Sequence, residues 1–270
     1  MNDHAMSAEA PDPDTLATQI IDEARALAVQ EPLLRALLKR RIGEVPHLAA
    51  LLSRMLAAEL EQPELAYRHL VHFFRTLYSE KPAVVEIAAS DIGAVLRRDP
   101  ATDSPLSVVL EQKGFQALCA HRVAHALWNN GRAALARQLH AAARRSTGVD
   151  IHPACRIGRA VMLDHGLGIV LGETAAIGDN VSIMQGVTLG GTGKEHGDRH
   201  PKVGDGVLIG AGATLLGNIR IGTHARIGAG SVVLADVPAY ATAVGVPAKS
   251  RVRARGEAPA ESMDHLVTGR

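Results

Sequence analysis

The stretch 151–250 repeats every six positions. Aliphatic side chains recur at Ile151, Ile157, Leu163, Ile169, Ala175, Val181 and Val187, then in a new register at Val203, Ile209, Leu215, Ile221, Ile227, Val233 and Ala239. Gly158, Gly172 and Gly178 lie close to the first series, and Gly204, Gly210, Gly222 and Gly228 each follow a member of the second. A period of six is neither the 3.6 of an amphipathic helix nor the 2 of a half-buried strand. It suits one flat side of a triangular coil, with three sides to a turn and coils stacked about 4.8 Å apart, the ordinary strand spacing. The recurring residue points inward and meets its counterpart one coil away. About fourteen units fit, which makes four to five coils. A conventional parallel α/β sheet needs crossover helices of about ten residues or more between its strands, and this stretch leaves no room for them. The sequence therefore predicts a parallel β-helix.

The chain before residue 150 follows a different pattern. Of 26 glycines, 19 fall in 151–250, whereas six of the seven aromatic residues (Tyr67, Phe73, Phe74, Tyr78, Phe115 and Trp128) precede residue 151. "DTLATQIIDEARALAVQ" puts Leu16, Ile20, Ala24 and Leu27 on one helical face, with Asp14 as a candidate cap. Similar patterns run through "PLLRALLKRRIG", "PHLAALLSRMLAAEL", "ELAYRHLVHFFRTLYSE", "KPAVVEIAASDIGAVLRRD", "FQALCAHRVAHALWNN" and "RAALARQLHAAARRS". Six to eight helices are expected, and the fold class is α+β. The predicted units are an unstructured N-terminus (1–14), a helical domain (15–148), the β-helix (149–250) and a C-terminal tail (251–270).

One segment breaks the repeat. The step from Val187 to Val203 is ten positions longer than the usual six, so "GTGKEHGDRH" at 191–200 is expected to leave the coil as a loop. The loop carries Arg199 and His200, and Pro201 stiffens its foot. "GGTGK" is not a phosphate loop: the first glycine is missing, Glu195 stands where Ser or Thr is needed, and no helix pattern follows.

A second oddity is "LDHGLGIVLGE" (163–173), where Asp164 and His165 interrupt an aliphatic run. Strict alternation would bury His165 as a paired structural histidine. A corner would turn it outward instead. Asp150 precedes His165 by nearly one coil and is placed to approach it from the layer beneath. A carboxylate beside an imidazole fixes its tautomer and raises its basicity. Glu173 is a column-adjacent acid, His152 next to Pro153 suits a turn, and His196 in mid-loop suits solvent.

Bulk properties exclude some classes. A net charge of +1 and 3% aromatic residues supply neither a basic footprint nor stacking platforms for nucleic acid. The start "MNDHAMSAEAPDPD" lacks the features of a signal peptide, and no apolar run is long enough to cross a membrane. Cys119 and Cys155 form no framework, which fits a reducing, cytoplasmic setting.

The β-helical run, with "MLDH", "GGTGK" and "GDRHPK", resembles bacterial serine O-acetyltransferases. The likeness extends into the helical half at "DIGAVLRRDPA" and "KGFQALCAHRVAHALWNNGR" and covers the greater part of the chain. Members of this family wind their coils left-handed. The resemblance implies transfer of acetyl from acetyl-CoA to the hydroxyl of L-serine, the first step toward cysteine, with no metal. It implies His165 as general base, Asp150 as its orienting partner and His200 as a second active-site histidine. Asp99 and Asp164 would hold the serine ammonium and Arg199 its carboxylate, with Glu173 nearby. Gly191, Thr192, Gly193, Ala211 and Lys249 would lie on the CoA side. It further implies homotrimers with active sites between neighbouring chains, pairing into hexamers, and feedback inhibition by L-cysteine. Relatives bind O-acetylserine sulfhydrylase through a tail ending in isoleucine; this chain ends in Arg270, which argues against that complex. The competing readings are an acetyltransferase for a sugar or xenobiotic hydroxyl, a γ-type zinc hydratase using His165, His196 and His200, and a silent scaffold.

Overall fold

The computed structural model describes residues 11–45, 47–193, 196–253, 256 and 258–265. Eight α-helices precede residue 150 among them: α1 (Pro13–Gln30), α2 (Arg35–Arg41), α3 (Leu48–Leu60), α4 (Tyr67–Glu80), α5 (Pro82–Arg98), α6 (Pro105–Glu111), α7 (Lys113–Asn129) and α8 (Ala133–Thr147). Residues 1–10 of the expected unstructured terminus lie outside the described residues, but 13 and 14 already belong to α1. The cap is Asp12, not Asp14: its carboxylate accepts from the Thr15 amide at 2.8 Å, and Pro13 opens the helix. Helix α6 has no periodic run long enough to announce it; Ser104 caps it and Pro105 starts it.

The chain then winds into a left-handed parallel β-helix with three faces. The first face stacks β1 (Asp150–Ile151), β4 (Val170–Leu171), β7 (Thr188–Gly190), β10 (Thr214–Leu216) and β13 (Val232–Val233). The second holds β2 (Arg156–Ile157), β5 (Ala176–Ile177), β8 (Lys202–Val203) and β11 (Arg220–Ile221). The third holds β3 (Met162–Leu163), β6 (Ser182–Ile183), β9 (Leu208–Ile209), β12 (Arg226–Ile227) and β14 (Ala241–Gly245), closed by antiparallel β15 (Ala248–Val252).

Two inward columns fill the prism, one from strands (Leu163, Leu171, Ile177, Ile183, Leu189, Val203) and one from corners (Val161, Ile169, Ala175, Val181, Val187, Val207). The six-residue count taken from sequence crosses between them after Leu163. Asp150 pairs with Val170 and Val170 with Thr188, so the first of these coils is two positions longer than the second. Thr188 pairs with Thr214, and that coil is eight positions longer than the one before it. The surplus ten residues are therefore divided: two swell the corner 164–169, and eight form the loop between β7 and β8.

The helical layer is fixed to the coil by a buried ion pair. Asp91 on α5 and Arg122 on α7 meet at 2.7 Å, both almost fully buried. Asp91 also accepts from the Val161 amide at 2.9 Å, and Arg122 donates to the Gly158 carbonyl at 2.8 Å. Removing one partner of such a pair leaves a buried charge unanswered, which costs about 3–5 kcal/mol. The segment after 250 is not a free tail. Residues 251–252 continue β15, and α9 (Pro259–Ser262) docks with Ala260 fully buried. Glu261 meets Arg98 at 2.6 Å and Asp264 meets Arg226 at 2.8 Å. Arg270 lies outside the described residues. No helix among the described residues is long and apolar enough to cross a membrane.

Candidate active site

The swollen corner 164–169 turns Asp164 and His165 outward. His165 adopts φ +54, and its side chain is 72% exposed. A non-glycine residue held at positive φ is a local strain that surrounding structure must enforce, and such positions concentrate at functional sites. Asp164 is only 14% exposed in its side chain, and its carboxylate lies 3.7 Å from His165 Nε2. Burial pushes the Asp164 carboxyl up; His165 opposes this, and the nearby charge of Asp99 adds to it. Asp99 caps the C-terminus of α5 and accepts from the Ala101 amide at 2.9 Å and Gln112 Nε2 at 3.1 Å. The charge of Asp99 thus reaches an Asp164 carboxylate that lies beside His165, a setting that favours an incoming cation.

Asp150 takes other partners. Its carboxylate accepts from His140 Nε2 at 2.7 Å and from Arg144 at 3.1 Å, both on α8. Burial alone would raise the Asp150 carboxyl, but these hydrogen bonds outweigh it and hold the group below the usual range. The expected approach to His165 from the layer beneath does not form within the chain. The register puts Val170, not His165, over Asp150.

His200 stands elsewhere. It lies at the foot of the loop on the corner between the first and second faces, whereas His165 lies between the third and first. One chain therefore does not bring the two imidazoles into a common cleft. On the His200 corner, Arg199 meets Glu173 at 2.8 Å, and this hydrogen bond holds the Glu173 carboxyl below its ordinary value. Gly191, Thr192 and Gly193 share that corner, and Lys194 lies outside the described residues. Ala211 instead shares the His165 corner, two coils above, and Lys249 sits on β15. Among the described residues no three of His, Cys, Asp or Glu are placed to share a metal ion.

Sequence reasoning missed Thr174. Its hydroxyl oxygen accepts from the amides of Arg199 (3.0 Å) and His200 (3.1 Å) and lies 2.8 Å from His200 Nδ1, its amide lies 3.2 Å from the same nitrogen, and its carbonyl accepts from Lys202 Nζ at 3.0 Å. The signal lay in the register. Ala176 pairs with Lys202, so Thr174 sits one coil beneath His200. His140 was missed as well, since nothing in a helical pattern marks which face meets β1. Burial, then the neighbouring Arg199 and Lys202, hold the His200 imidazole below its ordinary pKa, so it is neutral at pH 7.

Gly172 makes room for that ring. A Cβ at this position would lie 2.0 Å from His200 Cδ2 and 2.1 Å from Nε2. Gly172→Ala is therefore expected to displace the imidazole and lower turnover about a hundredfold while the fold persists. Steady-state rates beside a thermal melt check this; parental turnover in the variant would show that His200 is not used.

Residues 16–120 match the model of the serine acetyltransferase N-terminal domain, and 200–235 match the bacterial transferase hexapeptide model (six repeats). The chain is 49% identical over 247 residues to the serine acetyltransferase of Salmonella typhimurium, covering 92% of this chain and 90% of the relative. A solved serine acetyltransferase in complex with cysteine superposes with a TM-score of 0.90 at 45% identity, covering 94% of this chain and 99% of that one. The soybean serine acetyltransferase complexed with serine gives 0.87 at 50% identity, covering 90% and 100%.

Proposed function

Because the chain belongs to the serine acetyltransferase family, we propose that it transfers acetyl from acetyl-CoA to the hydroxyl of L-serine, at a site completed by two neighbouring chains. The observation that carries the choice of an amino acid is the largely buried Asp164 carboxylate within electrostatic reach of Asp99. An ammonium group neutralises that pair, whereas a sugar hydroxyl leaves it unanswered. Arg199 keeps donors beyond those given to Glu173 and Gly197, and these receive the serine carboxylate.

His165 takes the proton as the serine oxygen attacks the thioester carbonyl, and the neighbouring Asp164 stabilises the imidazolium that forms. The tetrahedral intermediate then collapses, the carbon–sulfur bond breaks, and the proton passes to the departing thiolate. Direct transfer is favoured over an acyl-cysteine. Cys155 is fully buried and burial pushes its thiol up to about 12, while Cys119 is buried and raised still further.

The two-chain site explains why residues divide between corners. His165, Asp164 and Ala211 fall on one, and His200, Arg199, Glu173 and Gly191–Gly193 on another. In a homotrimer of prisms each cleft pairs one kind of corner with the other. Leu167 and Val170, at 62% and 40% exposure on the His165 side, suit such a contact. Val29, Leu33 and Leu37, exposed on and after α1, suit pairing of trimers into hexamers. L-cysteine carries the same ammonium and carboxylate with a thiol in place of the hydroxyl, and so competes for the serine site. Thiol release from acetyl-CoA tests the assignment. L-serine is expected to support it and sugars are not; equal rates with a sugar hydroxyl would overturn it.

A further inference from the structure

We propose that Thr174 locks His200 as the tautomer protonated on Nε2, which makes His200 a hydrogen-bond donor in the reaction and leaves proton acceptance to His165. The inference deepens the acetyl-transfer reading and rests on it for the role, though not for the tautomer.

The Thr174 amide fixes the direction of hydrogen bonding at His200 Nδ1. The Thr174 hydroxyl oxygen already accepts two backbone N–H groups, from Arg199 at 3.0 Å and His200 at 3.1 Å. Its own proton has two acceptors within reach, the Asp198 carboxylate and His200 Nδ1, the latter 2.8 Å away. The Thr174 amide, which is always a donor, points at the same nitrogen at 3.2 Å. A backbone N–H aimed at Nδ1 requires that atom to present a lone pair and carry no hydrogen. A neutral imidazole then has its proton on Nε2. The ring is kept neutral by burial and by the cations Arg199 and Lys202. Glu173, which favours the charged form, is occupied by Arg199.

The consequence is chemical. A ring with its only lone pair committed to Thr174 cannot take the serine proton. It can donate from Nε2, which rests over Gly172, to an oxygen that gains negative charge as the thioester carbonyl is attacked. His165 has no such constraint: its exposed ring keeps a nitrogen free to accept. Thr174 is thus a positioning residue that acts through His200.

Uniform labelling of histidine with nitrogen-15 reads the tautomer directly in the unliganded protein, with His200→Gln assigning the resonances. The expected result is an unprotonated Nδ1 and a protonated Nε2 at neutral pH. A protonated Nδ1, or a cation, overturns the proposal whatever the enzyme acetylates. Failure of the serine assignment would instead leave this spectrum unchanged. As a second readout, Thr174→Val should lower kcat about ten- to a hundredfold and let the Nδ1-protonated form appear, while Thr174→Ser, which keeps the hydroxyl, stays within about threefold of the parent. Equal losses in the two variants, or none in valine, would reject the proposal.

Discussion

Mixed hexapeptide trimers that hold both His165→Ala and His200→Ala chains are expected to recover about a third of parental turnover. Each variant alone should fall by a factor of about 10² to 10⁴. The recovery follows from where the imidazoles stand. His165 occupies the corner between the third and first faces and His200 the corner between the first and second. If each cleft takes its His165 from one chain and its His200 from the next, a cleft is intact when the first chain is the His200 variant and the second the His165 variant. Every mixed trimer, whichever variant is in the majority, meets both conditions in about one cleft in three. Differently tagged chains, co-expressed and purified through both tags, supply the mixed species. Absence of recovery in verified mixed trimers would mean that both histidines act from one chain, which would end the two-chain site.

Gly114→Ala should damage stability and activity together. Gly114 lies at the start of α7, and a Cβ there would come within 1.8 Å of the Leu163 carbonyl oxygen. The obstacle is backbone, so no side chain can swing aside. Helix and coil must separate, at about 1–3 kcal/mol for an overpacked contact, which lowers Tm by several degrees in a chain of this size. Leu163 immediately precedes Asp164 and His165, so the same displacement moves the proposed base and the ammonium site. Turnover is expected to drop at least tenfold below the melting transition. Gly256→Ala provides the control, because nothing lies within 4 Å of a Cβ there. Parental Tm and kcat in Gly114→Ala would show that helix and coil are not held at this point.

The β-helix was readable because stacking imposes a strict period: a residue that misses its column exposes its side chain or breaks a coil. The period was also where the reading slipped. Ile169 looked like the successor of Leu163 because both are aliphatic, yet the strand column continues at Leu171 and Ile169 belongs to the corners. Two extra residues were hidden by that substitution of one inward column for another, and they lengthen the corner that carries His165. The helical half was legible as helices from their apolar stripes, but which helix faces which coil was not. For that reason the grip of His140 and Arg144 on Asp150 could not be anticipated, and a pairing with His165 was expected instead. Thr174 illustrates a further limit. Its role depends on the lengthened register between β5 and β8, which becomes countable only once the loop is known to hold eight surplus residues rather than ten.

Arg98 adjoins Asp99, and its guanidinium is completely enclosed. It donates to the Ala160 carbonyl at 3.1 Å and to Ser182 Oγ at 3.2 Å, and it contacts Asn180, but its only carboxylate partner among the described residues is Glu261 at 2.6 Å. That acid is synthesised 163 residues later. At ordinary translation speeds of about 5–20 residues per second, the arginine waits roughly ten to thirty seconds for its counter-charge. A nascent chain can build its helices and wind its coils in that interval, yet the joint next to Asp99 stays electrostatically open until Glu261 has been made. Chains released before Glu261 would carry every proposed catalytic group and still lack the charge that answers Arg98.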